Sequence, residues 1–258
     1  TYCKSPLVMA ISPKDEVTNK PLTLSDIETA TIGIVTGTNY DLLVQKKFPK
    51  ATRKYFSSTA DVILAMKQGK VDVLLADKDV YASMKWENAD ITRIEEPIEA
   101  LYNALVLAKT GYDENLLQQI NAFIAQTKEN GTLKALDEKW FGDYEPTEHP
   151  DYTNLTGENG TLKIAIGDSM KPTAYQKGQF FTGYEVEFLT LFAQEYGYKL
   201  DFHGMTFEAL IPSVVSGKCD IGACGITITP ERAESVTFAN PHLETYAVAV
   251  VKSNSAEK

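Results

Sequence analysis

The chain has 258 residues, which is enough for one large domain or two modest ones, each with a hydrophobic core. Its 35 acidic residues outnumber its 25 basic ones and give a formal charge of -10, which argues against a phosphate-binding surface and against nucleic acid as a partner. No apolar run is long enough to span a membrane, Thr1–Ala10 lacks the pattern of a signal peptide, and three scattered cysteines with three histidines predict neither a disulfide framework nor a metal or cofactor site.

Strands and helices alternate in the first half of the chain. Thr59 is placed to cap a helix that Gly69 ends, and apolar residues at helical spacing predict two further helices within 113–141. The nearly continuous apolar runs that predict strands are 31–37, 71–77 and 103–109. This half therefore reads as a βαβ unit followed by two helices.

The composition changes at 142–160 to polar residues, proline and glycine without periodicity, which predicts a linker. Beyond it, helices are predicted at 184–196 and 207–216. The strand candidates of this half are 161–168, 199–204, 219–225 and 246–252. The alternation predicts two α/β lobes with largely parallel sheets, which bind ligands outside the carboxyl ends of their strands.

Several motifs lie on these elements. They include "IGIVTGTN", "GKVDVLLAD" and "NGTLKALDEKWFG" before the linker, and "TLKIAIGD", "GYEVEFL", "LIPSVVSGKCD", "GITITPER" and "VTFANPHLE" after it. Together they resemble the motifs of the type II periplasmic or extracellular solute-binding proteins, family 3, in the branch that binds polar amino acids. The resemblance covers nearly the whole chain and implies a two-lobed Venus flytrap fold that closes on its ligand.

The order of the lobes is rotated relative to that family. The resemblance implies a second α/β lobe at 14–102 and a first lobe made of 1–13 and 103–258, which includes the helices at 113–141 and the linker. Thr1–Lys14 also resembles residues 241–254, at an offset of about 240 residues, roughly one family domain. This predicts one repeat of a tandem array, with a natural or engineered circular permutation as the alternative. A chain cut within a domain is also expected to be able to exchange lobes with a second copy.

The resemblance assigns opposite charges to the two ends of an amino-acid ligand. Arg232 corresponds to the family's carboxylate-binding arginine, whose planar fork donates two parallel hydrogen bonds, and Asp77 to its ammonium-binding aspartate. Without the resemblance, Arg232 is a first-turn helix residue paired with Glu231 or Glu234, and Asp77 is a turn-forming residue. The further positions that the resemblance assigns to the ligand are Thr227, Thr38, Asn39, Gly225, Cys224 and Phe207.

Selectivity for the ligand's side chain is harder to predict. Asn39 stands where the family commonly has threonine, and Phe207 fits either a ligand contact or the core. Lys171 and Ala174 replace a tyrosine and a phenylalanine that usually cover the ligand. Lys171 is therefore a candidate contact for an acidic or amide side chain, oriented by Asp168, with a solvated loop lysine as the alternative.

The resemblance implies an extracytoplasmic, membrane-tethered domain that captures a small polar amino acid and passes it to the permease of an ABC transporter. A ligand-sensing ectodomain of a transmembrane histidine kinase or cyclase is the alternative, and a degenerate assembly domain or a family-derived dehydratase is more remote. No histidine has a nucleophile motif beside it, so the sequence predicts no enzyme.

Overall fold

The structure is a computed structural model that describes residues 22–88, 90–142, 145–147 and 149–253. Two mixed sheets, each flanked by helices, form two lobes. A small three-stranded antiparallel sheet accompanies the second lobe. The predicted strand within Thr1–Lys14 lies outside the described residues.

The sheet that contains β1, called the β1 sheet, has the order β2-β1-β3-β14-β4, with β5 also paired to β14. Its strands are β1 (Thr31–Val35), β2 (Thr52–Phe56), β3 (Val73–Asp77), β4 (Ile91–Arg93), β5 (Glu99–Asn103) and β14 (Leu243–Lys252). Its helices are α1 (Tyr40–Lys47), α2 (Thr59–Lys67) and α3 (Lys78–Glu87). The cap of α2 is Ser58, one residue before the predicted Thr59, because the Ser58 hydroxyl accepts the Asp61 N–H at 3.2 Å.

The sheet that contains β7, called the β7 sheet, has the order β11-β7-β12-β6-β13. Its strands are β6 (Val106–Ala108), β7 (Thr161–Gly167), β11 (Lys199–Met205), β12 (Ile221–Ala223) and β13 (Val236–Phe238). Its helices are α4 (Glu114–Glu129), α5 (Thr132–Trp140), α6 (Tyr184–Tyr196), α7 (Phe207–Val215) and α8 (Pro230–Ser235). The small sheet consists of β8 (Ser169–Met170), β9 (Ala174–Lys177) and β10 (Phe180–Thr182).

The helices α4 and α5 share one core with the β7 sheet. Phe123 of α4 packs against Phe188 of α6 with the ring centroids 5.3 Å apart. The buried Trp140 of α5 donates its indole N–H to Glu187 of α6 at 2.6 Å. These contacts place both helices on the lobe that follows them in the chain. No helix of the described residues is both long and apolar enough to cross a bilayer.

β14 departs from the sequence-based division of the chain, which places residues 103–258 in the first lobe. It pairs antiparallel with β3 and with β4 and β5, so this strand belongs to the β1 sheet. The reason is packing on two faces. Val248 and Val250 join the core on one side of the sheet, and Ala247 and Ala249 join the core on the other. The sheets are also more mixed than predicted, since only β1, β2 and β3, and β7, β11 and β12, run parallel.

Among the described residues the chain crosses between the two sheets twice, from β5 to β6 and from β13 to β14. The two crossing segments lie side by side, because the His242 N–H donates to Asn103 O at 3.2 Å. The Ala104 N–H donates to Ile226 O at 3.0 Å, which ties the first crossing segment to the chain after β12. The carboxyl ends of β1, β3 and β12 thus face the region between the lobes.

Candidate functional site

Asp77 ends β3, and its carboxylate is held by two other elements. The Tyr40 hydroxyl of α1 donates to one carboxylate oxygen, and Asn103 Nδ2 of β5 donates to the other at 3.0 Å. Burial raises the pKa of Asp77, against the opposing effects of these two hydrogen bonds and of the positive charge of Arg232. A carboxylate fixed in this way can receive a cation without being reoriented.

Arg232 comes from the lobe of the β7 sheet. It lies in the first turn of α8, where the Thr229 side chain caps the helix by accepting the Arg232 N–H at 3.2 Å. The guanidinium donates to Thr227 O at 2.9 Å and, across the gap between the lobes, to Gly37 O at 3.0 Å. One arginine therefore bonds to both lobes in this closed arrangement.

The charges of Arg232 and Asp77 act on each other across this gap. Burial lowers the pKa of Arg232, whereas the neighbouring Glu231 and Asp77 carboxylates raise it. An arginine keeps its charge under such a shift. Phe207 of α7 supports the cation, since the guanidinium carbon lies 5.5 Å from the centroid of its ring. Phe207 therefore contacts Arg232 of the candidate site.

A cavity of about 500 Å³ opens beside Arg232. Thr38 and Asn39 line it from the turn between β1 and α1. The Thr38 hydroxyl donates to Val35 O at 2.7 Å, and the Asn39 side chain makes no capping hydrogen bond to α1. Asp77 is not among the residues that line this cavity. The cavity thus gives room for an anion next to Arg232, with the Asp77 carboxylate outside it.

Cys224 and Gly225 form the turn after β12. Cys224 has φ 148 and is completely buried, and Gly225 has φ +62, so both adopt backbone conformations that favour glycine. Burial raises the pKa of the Cys224 thiol well above its usual range, which keeps it protonated. Thr227, three residues on, is also buried and pairs with Asn103 as an isolated β-bridge. The turn is therefore a strained and tightly fixed piece of backbone.

The turn is fixed by two residues that the sequence does not indicate as site residues, Glu185 and His242. Glu185 Oε1 accepts the Gly225 N–H at 3.0 Å and contacts His242 Nε2 at 2.9 Å. Both side chains are fully buried. As an acid in the first turn of α6, Glu185 is also favourably placed for the dipole of that helix. The signal in the sequence is that Glu185 lies within the apolar run "GYEVEFL", because an acid buried with such a run needs a polar partner.

Lys171 and Asp168 line a second cavity, of about 300 Å³, on another side of the gap. The sequence predicts that Asp168 orients Lys171, but Lys171 Nζ forms its ion pair with Glu87 of α3, at 2.6 Å. The Ser83 hydroxyl, on the same helix, donates to Lys171 O at 2.9 Å. Tyr175 lies beneath the ammonium, 5.3 Å from its ring centroid. Lys171 therefore links the two lobes in this arrangement.

The burial of Asp79, in the first turn of α3, is expected to make the stability of the fold depend on pH. Burial raises its pKa from 3.8 to about 6, and the Asp77 carboxylate adds to the effect. Below about pH 4 the Asp79 carboxyl is protonated in the folded and the unfolded state and hardly affects the free energy of unfolding. As the pH rises towards 6 the unfolded state ionises more readily than the folded state, which lowers the free energy of unfolding. We expect Asp79→Asn to increase the free energy of unfolding by about 2 kcal/mol more at pH 7.5 than at pH 4.5.

Urea titrations at the two pH values measure this difference. Glu129→Gln, which changes an exposed carboxylate at the end of α4, serves as the control and is expected to show almost no such difference. An equal gain for Asp79→Asn at both pH values would contradict the assignment.

Within the described ranges, no group of three or more His, Cys, Asp or Glu side chains is placed to hold a metal ion. The charged groups that face the gap include a guanidinium on one lobe and a carboxylate on the other. The family model of the bacterial extracellular solute-binding proteins, family 3, matches residues 28–143 and 162–257. The chain belongs to this family.

Two of the curated relatives to which the chain is similar are amino-acid-binding proteins by name. The arginine-binding extracellular protein ArtP of Bacillus subtilis is 31% identical over 105 residues, which is 40% of this chain and 41% of that protein. The L-cystine-binding protein TcyJ of Escherichia coli is 25% identical over 120 residues, or 46% of this chain and 45% of TcyJ. The chain thus spans less than half the length of these solute-binding proteins. The tandem array and the permutation stay predictions.

Among solved structures, an ABC transporter periplasmic substrate-binding protein from Coxiella burnetii aligns with 87% of this chain and 84% of its own. The TM-score is 0.48 and the sequence identity 13%. Membership of the solute-binding family rests on the match of the sequence to the family model.

Proposed function

We propose that this solute-binding domain captures a polar amino acid between its lobes, with the carboxylate on Arg232 and the ammonium near Asp77. The observation that carries the proposal is that these two opposite charges come from different lobes. Arg232 donates across the gap to Gly37 O at 3.0 Å, and Asp77 accepts from Asn103 Nδ2 at 3.0 Å. A zwitterion supplies both complementary charges at once. The relatives that bind arginine and L-cystine support an amino acid as the ligand.

Closure on the ligand follows from an exchange of hydrogen bonds. The guanidinium now donates to two neutral carbonyls, Thr227 O and Gly37 O. A ligand carboxylate offers a stronger, charge-assisted pair of acceptors in their place. Because the ligand then contacts both lobes, it stabilises the closed form over the open one. We propose that the closed form delivers its ligand to the permease of an ABC transporter outside the cytoplasm.

Thermal unfolding with each of the twenty proteinogenic L-amino acids and L-cystine tests the proposed function. A ligand present at about 100 times its Kd adds roughly 2.7 kcal/mol to the free energy of unfolding. We expect at least one polar amino acid to raise the Tm by several degrees. Absence of any shift across the whole set at millimolar concentration would reject the proposal.

Replacement of Lys171 is expected to change which amino acids bind best, rather than to abolish binding. It lines the 300 Å³ cavity that we assign to the ligand's side chain, together with Asp168 and Glu87. Lys171→Ala removes the cation and frees the Glu87 carboxylate, which favours ligands with cationic side chains. We expect the ranking of amino acids by Kd to change while binding persists. Lys177→Ala, which removes a lysine paired with Glu145 instead, is the matched control.

A further inference from the structure

Asn103 occupies the point where the lobes are joined. It is the last residue of β5, at the first crossing segment, and its side chain is completely buried. Its carbonyl accepts the His242 N–H from the second crossing segment, and its backbone bridges to Thr227 beside the Arg232 guanidinium. The position of this residue is therefore fixed relative to both lobes.

The two ends of its side-chain amide are in different situations. Nδ2 donates to Asp77 Oδ2 at 3.0 Å, which fixes the orientation of the amide. Oδ1 is buried and has no hydrogen-bond partner among the described residues. A buried acceptor without a partner destabilises the protein, so a donor that reaches this position is bound favourably.

The surroundings of the amide are those of the proposed ammonium position. A β carbon placed on Gly225 would lie 3.5 Å from Asn103 Nδ2, so the amide faces the Cys224–Gly225 turn. The amide oxygen is bonded to the same carbon as Nδ2, so it lies close to the Asp77 carboxylate that Nδ2 contacts. An ammonium group has three N–H donors, and the Asp77 carboxylate alone does not accept hydrogen bonds from all three.

We propose that Asn103 Oδ1 accepts a hydrogen bond from the ammonium of the bound amino acid, next to Asp77. This inference rests on the proposed function and names a further ligand-binding residue of the same site. The amide acts in two ways, since its N–H group fixes Asp77 and its oxygen binds the ligand. As a neutral acceptor it adds no second negative charge to a buried position that already holds Asp77.

The test compares the wild type with Asn103→Leu, which has a similar volume and no polar atoms. The probes are the twenty L-amino acids and L-cystine, and Kd is measured by calorimetry at pH 6.5 and at pH 8.5 for every amino acid that binds the wild type. We expect Asn103→Leu to raise Kd roughly 10- to 100-fold at both pH values. If no probe binds the wild type, the proposed function fails before this inference is reached.

A double-mutant cycle with Asp77→Asn separates ligand binding from the positioning of Asp77. If Asn103 acts only by positioning the Asp77 carboxylate, Asn103→Leu causes no further rise in Kd in the Asp77→Asn background, whereas a direct hydrogen bond to the ligand gives a further rise. The absence of a further rise, or a Kd that Asn103→Leu leaves unchanged at either pH, overturns the inference. If Asn103→Leu fails to fold, Asn103→Ala replaces it in the same measurements.

Asn159→Leu controls for a general loss of stability. This variant removes an exposed amide that donates to Tyr196 O at 2.8 Å, away from the gap between the lobes. We expect its Kd to match the wild type within about twofold. A crystal structure of the complex gives the direct answer, and an ammonium nitrogen more than about 3.5 Å from Asn103 Oδ1 also overturns the inference.

Discussion

Replacement of Arg232 by glutamine is expected to raise the Kd for any amino acid that binds the wild type at least ~100-fold. The change removes the cation that pairs with the ligand's carboxylate and leaves only a neutral amide in its place. Arg232→Lys keeps the charge but not the planar fork, so we expect an intermediate loss of roughly tenfold. Calorimetric titration of the three proteins measures both effects.

Arg93→Gln is the matched control for this series. Arg93 lies on β4 of the β1 sheet and pairs with Glu95 at 2.8 Å. We expect this variant to bind like the wild type, because Arg93 lines neither the cavity beside Arg232 nor the cavity beside Lys171. Binding by Arg232→Gln at the affinity of Arg93→Gln would contradict the assigned role of the guanidinium.

Gly37→Ala is expected to prevent full closure of the lobes. Gly37 has φ +82, and a β carbon there would lie 2.8 Å from Glu208 Cβ and 2.9 Å from Glu208 Cα, on the opposite lobe. The backbone of α7 cannot move aside to relieve this clash, as the end of a flexible side chain could. We expect Kd to rise at least ~10-fold and the ligand-induced decrease in the radius of gyration, measured by small-angle scattering, to be lost.

Gly69→Ala separates this clash from the ordinary cost of losing a glycine. Gly69 has φ +71, but no atom lies within 4 Å of the position that its β carbon would take. Both variants should lose about 1 kcal/mol of unfolding free energy, because both force alanine into a left-handed conformation. Only Gly37→Ala should lose affinity. Equal affinities for the two variants would show that closure does not bring Gly37 against α7.

The regular elements could be predicted from sequence where the pattern is local. The helix predicted at 184–196 coincides with α6, since Gly183 and Gly197 bracket a continuous helical face. The runs at 161–168 and 199–204 match β7 and β11 within one residue. The short strands β4 and β8 were not predicted, because two or three residues carry no detectable alternation.

The partners of the site residues could not be predicted in the same way. Asp77 meets Tyr40 and Asn103 at sequence separations of 37 and 26 residues, and these contacts depend on how three elements pack. A continuous apolar run such as β14 shows that a strand is buried, but not in which sheet. The pairing of Lys171 with Glu87 has the same origin, since it depends on the approach of the two lobes.

β14 also has a consequence for the order of folding. The lobe built from β1 to β5 receives a central strand from residues 243–252, so its longest-range pairing joins β3 to a segment about 170 residues later in the chain. Contacts at such a separation form late and slowly, and only after residues 243–252 have been synthesised. Until then the apolar edge of β3 lacks this neighbour, and a chaperone that shields that edge should increase the yield of native protein.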